Sequence, residues 1–195
     1  MAVSTQQVVL VRHGETEWSA SGRHTGRTDV PLTDRGREQA SLLAACLRRW
    51  RFAAVLVSPL RRAADTARLA GFEGVLSTRP DLMEWDYGQY EGRTTADIRR
   101  ERPGWGLWAD GVPGGETVEH MGRRADGVIR EVRAIAGDVA LFAHGHILRV
   151  MGARWVGLPP DSGSRLALDT ASLCALGYER ETPVIRRWNE SCGES

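Results

Sequence analysis

The segment VVLVRHGETEWS, Val8 to Ser19, opens with four aliphatic residues in a row and passes without transition to an arginine, a histidine and a glycine. A short unbroken apolar run reads as a strand covered on both faces, the pattern of a parallel sheet packed between helices. Two further segments repeat the arrangement. In AAVLVSPLRRAADTARLAG, Ala53 to Gly71, an apolar run leads through Ser58 as N-cap and Pro59 as first helical residue into a helix that Gly71 closes. In DVALFAHGHILRVMGARWVG, Asp138 to Gly157, strand, tight turn and helix follow again.

Between these units, Thr33 N-caps a helix whose Ala40, Leu43, Ala44 and Leu47 recur at helical spacing. A weaker strand is expected near Val75 and Leu76. A long amphipathic helix from Glu116 to Ile135 carries Val118, Met121, Ala125, Val128, Ile129 and Val132 on one face. ASLCALGY and PVIRRW read as two strands joined by a polar turn, antiparallel at the sheet edge. Strands alternating with helices predict a three-layer α/β/α sandwich around a mostly parallel sheet. Residues 80–115 break the alternation and are expected as a lid-like insertion, with a short helix from Thr94 to about Arg102 that Pro103 stops.

A chain of 195 residues fits one domain, residues 1–195, with an apolar fraction of 42% and a charged fraction of 26% that are ordinary for a globular protein. The net charge of +1 is spread along the chain, so neither a nucleic acid nor a membrane surface is expected as partner. Lysine is absent and all 26 basic residues are arginine. Cys46, Cys174 and Cys192 form no CxxC pair and leave an odd thiol, so a disulfide framework is not expected and a reducing compartment is. With no basic-then-apolar leader and no membrane-length apolar run, the expected location is the cytoplasm.

In an open parallel sheet, ligands sit outside the carboxyl ends of the strands. Arg12 and His13 end the first strand, Arg61 and Arg62 follow the second, and His144 to His146 follow the third. All three segments therefore face one sheet edge. Gly14 and Gly145 let backbone approach a ligand there, and the helix after His144 offers N–H groups. Two arginines, two histidines and a helix N-terminus suit a dianionic phosphate.

RHGETEW (Arg12–Trp18), HTGRTDVPLTDRG (His24–Gly36), SPLRRAADTA (Ser58–Ala67), LMEWDYGQYEG (Leu82–Gly92) and AHGH (Ala143–His146) stand in an order that resembles the histidine phosphatase, or phosphoglycerate mutase-like, superfamily. The resemblance covers nearly the whole chain and implies that fold. It implies hydrolysis of a small phosphate ester with His13 as the phosphorylated nucleophile, surrounded by Arg12, Arg62 and His144, and Glu84 as proton donor. Thr25 and Gly26 match substrate-holding positions, and Ser19 stands, as a phosphate contact, where many members carry asparagine. Arg61 occupies a variable slot.

The chemistry suits these residue types. Arginines beside a neutral imidazole lower its pKa by like-charge repulsion, and a backbone acceptor on its other nitrogen would orient it. Burial near Trp85, Tyr87 and Tyr90 would lift Glu84 toward working pH, so that it protonates the leaving group and then activates water. No metal and no cofactor is expected, because the arginines and a protonated His144 supply positive charge. His24 is placed at the pocket mouth, and His146 at the helix start supporting the loop. Glu15 and Glu17 are read as solvated or paired. Arg23, Arg27 and Arg93 are candidates for a second anionic group of the substrate, and Trp105 and Trp108 either cover it or pack the insertion down.

Three alternatives stay open. A phosphoglycerate mutase would return the phosphoryl group to an acceptor, although mutases of this family generally carry a longer insertion before the segment matching PGGET. A metal hydrolase would use the HxH pair with His13 or Asp138. A phosphate-binding module would need neither nucleophile nor acid. A homodimer through a terminal strand is likewise open.

Overall fold

The computed structural model describes residues 6–193. Its elements in chain order are β1 (Val8–Arg12), α1 (Glu17–Ala20), α2 (Asp34–Leu47), β2 (Phe52–Val57), α3 (Arg61–Ala67), β3 (Leu76–Thr78), α4 (Thr95–Glu101), α5 (Leu107–Asp110), α6 (Val118–Arg133), β4 (Asp138–Ala143), α7 (Gly145–Trp155), β5 (Leu173–Glu179) and β6 (Thr182–Glu190). One six-stranded sheet has the order β3-β2-β4-β1-β5-β6. β1 and β2 flank β4 in parallel and β3 adds to β2 in parallel, whereas β5 and β6 run antiparallel, as the terminal hairpin pattern predicts.

The continuous apolar run of β1 follows from this position. Val8 and Leu10 join the core under α6 and α7, while Val9 and Val11 join the core under α2 and α3. A strand roofed on both sides has no face on which a polar residue is tolerated. Arg12 is therefore the first position of β1 at which a polar side chain appears, and it falls at the sheet edge.

Helix starts follow local chemistry. Thr33, Thr94 and Thr117 each accept from the backbone N–H three residues on, and Asp97 completes a capping box with Thr94. The helix expected to start at Pro59 starts later: α3 begins at Arg61, with Leu60 at the N-cap position and no side-chain cap, while the Ser58 hydroxyl accepts from the Leu60 N–H at 3.3 Å and lies 2.7 Å from His144 Nε2.

Residues 80–115 are irregular but anchored. Leu82, Trp85, Tyr87, Tyr90, Ile98, Trp105 and Leu107 are buried within the core shared with α6 and α7. Trp105 meets His24 edge-on, and Trp108 packs against His146 and beneath Arg149 of α7. Both tryptophans thus fasten this segment to the body.

The cysteine expectation is overturned. Cys46 on α2 and Cys192 beyond β6 form a disulfide across 146 residues, leaving Cys174 free and buried. The two partners are brought together because β6 ends beside α2, a proximity no CxxC spacing reveals, and the cysteine ground for a reducing compartment goes with it. Chain-entropy reasoning gives a loop of this length about 4–5 kcal/mol of stabilisation. Reduction, or Cys192→Ser, should lower the melting temperature by roughly 8–20 °C in calorimetry, whereas a reductant-insensitive transition would contradict it. Among the described residues, no helix is long and apolar enough to cross a membrane.

Candidate active site

At the carboxyl edge of β1 and β4, a cavity of about 230 Å³ is lined by Arg12, His13, Ser19, Gly22, Arg23, His24, Thr25, Glu84, Tyr87, Gly145, His146, Arg149 and Leu168. β1 and β4 are register partners, with Arg12 opposite Ala143, so the residues that follow them meet at one point. The His13 and His144 rings lie 5.2 Å apart.

His13 is buried, and its Nδ1 lies 2.7 Å from the Gly14 carbonyl. A carbonyl only accepts, so Nδ1 carries the proton and Nε2 keeps its lone pair. Burial, then Arg62 and Arg12, hold the ring well below the ordinary histidine range, which keeps it neutral.

Arg62 and His144 form the layer beneath, both with 0% exposure. Arg62 Nε donates to His144 Nδ1 at 3.1 Å, while Nη1 and Nη2 donate to the carbonyls of Thr28 and Gly26. A nitrogen that accepts from a guanidinium is unprotonated, so His144 is the Nε2–H tautomer and donates to Ser58. Burial and the charge of Arg62 hold its pKa well below the usual value. The protonated His144 read from sequence is thereby corrected: the ring is neutral.

Glu84 is corrected in the same way. Burial pushes its pKa up, as expected, but hydrogen bonding from His146, side chain and backbone N–H alike, outweighs it and holds the group well below the carboxylate range. Its oxygens accept from the N–H groups of Trp85, His146 and Ile147 at 3.0–3.1 Å. Two of these donors belong to the first turn of α7, whose positive end favours a carboxylate. The sequence shows the aromatic neighbours of Glu84 and not this helix end.

Arg12 donates through Nη1 to the Leu168 carbonyl, and its buried Nε has no partner. A hypothetical Cβ on Gly145 would lie 3.5 Å from that guanidinium, so Gly145 leaves room over it. Gly14 serves otherwise than expected. A Cβ there would meet the Gly36 carbonyl at 2.3 Å, so this glycine lets α2 approach the turn after β1.

Ser19 and Thr25 line the cavity, with their hydroxyls donating to the Thr16 and Arg23 carbonyls. Gly26 does not line it. Its N–H donates to Glu91 and its carbonyl accepts from Arg62, so it secures the loop on which Thr25 sits. Of the three candidate second-anion arginines, only Arg23 lines the cavity. Arg27 lies 3.5 Å from Asp86 and Arg93 is paired with Glu101 at 2.6 Å. Arg61 binds Asp65.

Further residues emerge from the geometry alone. Tyr87 Oη lies 2.8 Å from His146 Nδ1, and Arg149 stacks over Trp108 while reaching His146 Nε2 at 3.4 Å. His146 is thus a cavity wall as well as a helix-start residue. Burial and His146 lower the pKa of His24, at the mouth, to about 4. Arg149 is four residues into α7, one turn beyond Gly145, and that helical spacing was the available signal.

Asp138 lies at the opposite end of β4 from His144 and accepts from the Gln7 N–H, which removes it from any site with the HxH pair. A larger cavity, about 850 Å³, lies at that far edge. Its Arg49 and Arg187 are paired with Glu190, and it contains none of the residues that converge on His13.

The model of the histidine phosphatase superfamily (branch 1) matches residues 8–191. The chain belongs to this superfamily. An acid phosphatase of Mycobacterium tuberculosis is 45% identical over 183 residues, 92% of this chain and 90% of that one. A probable phosphoglycerate mutase of Yersinia enterocolitica is 33% identical, with 97% and 93% covered. A solved mycobacterial glucosyl-3-phosphoglycerate phosphatase superposes with a TM-score of 0.84 at 31% identity, covering 95% of this chain and 99% of that chain. The phosphoglycerate mutase-like architecture read from the motifs is therefore the architecture observed, and this histidine phosphatase is a phosphoric monoester hydrolase of that type.

Proposed function

We propose that this histidine phosphatase hydrolyses phosphate esters of small metabolites through a phosphohistidine on His13. The observation that carries the reading is the His13–Gly14 hydrogen bond. It leaves Nε2 unprotonated on a ring that lines the cavity between Arg12 and the Arg62–His144 pair. In the first step Nε2 attacks phosphorus, the P–O bond to the alcohol breaks, and the leaving oxygen takes a proton from Glu84. In the second, water attacks the phosphohistidine, Glu84 takes its proton, and Nε2 leaves with its lone pair restored. Arg12, with its unpartnered Nε, stabilises the equatorial oxygens. Ser19, Thr25 and Gly145 are the proposed substrate contacts, and Gly26 acts through the loop.

Rapid quenching with a radiolabelled ester, under conditions that spare phosphohistidine, should place label on the peptide containing His13. Label elsewhere, or none, overturns the mechanism. The mutase reading draws support from the Yersinia relative. Interconversion of 2- and 3-phosphoglycerate faster than phosphate release, with bisphosphate primer present, would establish it instead.

A small phosphate ester is a substrate of the cell interior, which supports the cytoplasmic placement; the Cys46–Cys192 bond weighs the other way. β6 forms the outer edge of the sheet and carries Pro183, Arg186 and Arg187, residue types that blunt edge pairing, so a homodimer would use another face.

A further inference from the structure

The loop of residues 167–172 contributes no side chain to the proposed chemistry beyond the apolar wall of Leu168, yet it holds two residues that do. Its Leu168 carbonyl accepts from Arg12 Nη1, the partner that aims an otherwise unpaired buried guanidinium. Its Ala171 N–H donates to the His13 carbonyl at 3.0 Å, and its Ser172 carbonyl accepts from the Arg12 N–H at 3.1 Å. Ala171 does this at φ 52°, a left-handed conformation that a residue with a Cβ adopts only when its surroundings enforce it.

The enforcing contacts come from the end of β6. Asn189 Oδ1 accepts from the Asp169 N–H at 2.7 Å and Nδ2 donates to Asp169 Oδ2 at 2.8 Å. Beside it, Trp188 Nε1 donates to the Ala167 carbonyl, and its ring lies over Gly152 of α7, where a Cβ would come within 2.6 Å. Asn189 is itself at φ 55°, which asparagine takes more readily than other residues with a Cβ. Three residues on, Cys192 fastens this end of the chain to α2. Asn189 is the single asparagine in the sequence. An amide is required there because it presents an acceptor to the N–H and a donor to the carboxylate at once.

We propose that Asn189 is a positioning residue of the active site: it clamps Asp169, and the clamped loop aims Arg12 and braces the backbone of His13. The inference rests on the reading of Arg12 and His13 as the phosphate-binding and nucleophilic groups. Asn189→Gly keeps the left-handed backbone available and deletes both hydrogen bonds. Asn189→Asp sets two carboxylates against each other. The double variant Asp169→Asn, Asn189→Asp restores the pair with donor and acceptor exchanged.

The readout is the inhibition constant of inorganic phosphate, together with KM for p-nitrophenyl phosphate, measured well below each variant's melting temperature. Asn189→Gly and Asn189→Asp should raise both constants at least fivefold, and the double variant should recover most of that loss relative to Asn189→Asp. A purely structural role would lower the melting temperature and leave phosphate affinity alone. A rise of less than fivefold in the single variants, or a double variant no better than Asn189→Asp, overturns the proposal. Phosphate binding to the His13→Ala protein with and without Asn189→Gly, followed by calorimetry, involves no chemical step. It therefore tests the clamp even if no label is found on His13, an outcome that would sink the functional reading and not this one.

Discussion

His13→Ala should reduce phosphate release from p-nitrophenyl phosphate by at least about four orders of magnitude, the scale of losing a covalent nucleophile. The variant should still fold and still bind inorganic phosphate, since Arg12 and Arg62 are held by the carbonyls of Leu168 and of residues 25–28 and not by the ring. Its loss also removes a neighbour from a buried cluster whose guanidinium groups oppose protonation of both histidines. Free imidazole should restore part of the turnover by occupying the vacated space. Turnover unchanged by the substitution would end the mechanism, and turnover lost together with phosphate affinity would mean that His13 organises the site and does not attack.

Glu84→Gln should separate substrates by leaving group. On alkyl phosphates the expected loss is about 10²–10⁴-fold, the usual worth of a positioned acid, and on p-nitrophenyl phosphate, whose leaving group scarcely needs a proton, less than about tenfold. The amide can still accept the Trp85 and Ile147 N–H groups through Oε1, so the first turn of α7 stays in place. Equal losses on both substrates would remove Glu84 from the acid role.

The pH dependence follows from the same carboxylate. Glu84 lies well below the ordinary carboxylate range and is ionised at neutral pH. The proton it gives must then arrive with the ester, as the monoanion, whose population falls tenfold per unit above about pH 6. kcat/KM on alkyl phosphates should therefore decline as pH rises through that value. On the acid side His13 stays neutral until pH drops below its own lowered pKa, so no matching loss is expected there near neutrality. A profile that climbs from pH 5 to pH 8 would contradict this assignment.

Much of the site was legible because the sheet is parallel. A buried run that ends in Arg-His and another that ends in His-Gly-His must present those residues at one edge once β1 and β4 pair, and the pairing is dictated by apolar runs with no polar face. Arg62 was legible through its motif, and its task only in part. Its guanidinium is occupied by the loop of residues 25–28 and by His144, contacts between segments more than thirty residues apart that no local pattern encodes.

Protonation states were the less legible layer. Whether Glu84 is an acid or a carboxylate depends on backbone N–H groups of α7, and whether His144 is charged depends on which atom of Arg62 touches it. Neither is a property of neighbours in sequence. Ser58 before proline reads as a cap; its hydroxyl accepts from the Leu60 N–H but also serves a buried imidazole, where a donor without an acceptor would be costly, and that second task leaves no trace in the local sequence.

The seat of Glu84 has an evolutionary corollary. Its carboxylate is docked on the His146 and Ile147 N–H groups of α7, and within its own segment on the Trp85 N–H alone. Loops downstream of Tyr87 can therefore be exchanged or lengthened while the carboxylate keeps its place at the cavity. Grafts spanning residues 92–112, none of which lines the cavity, should consequently leave the ratio of alkyl to aryl phosphate turnover unchanged.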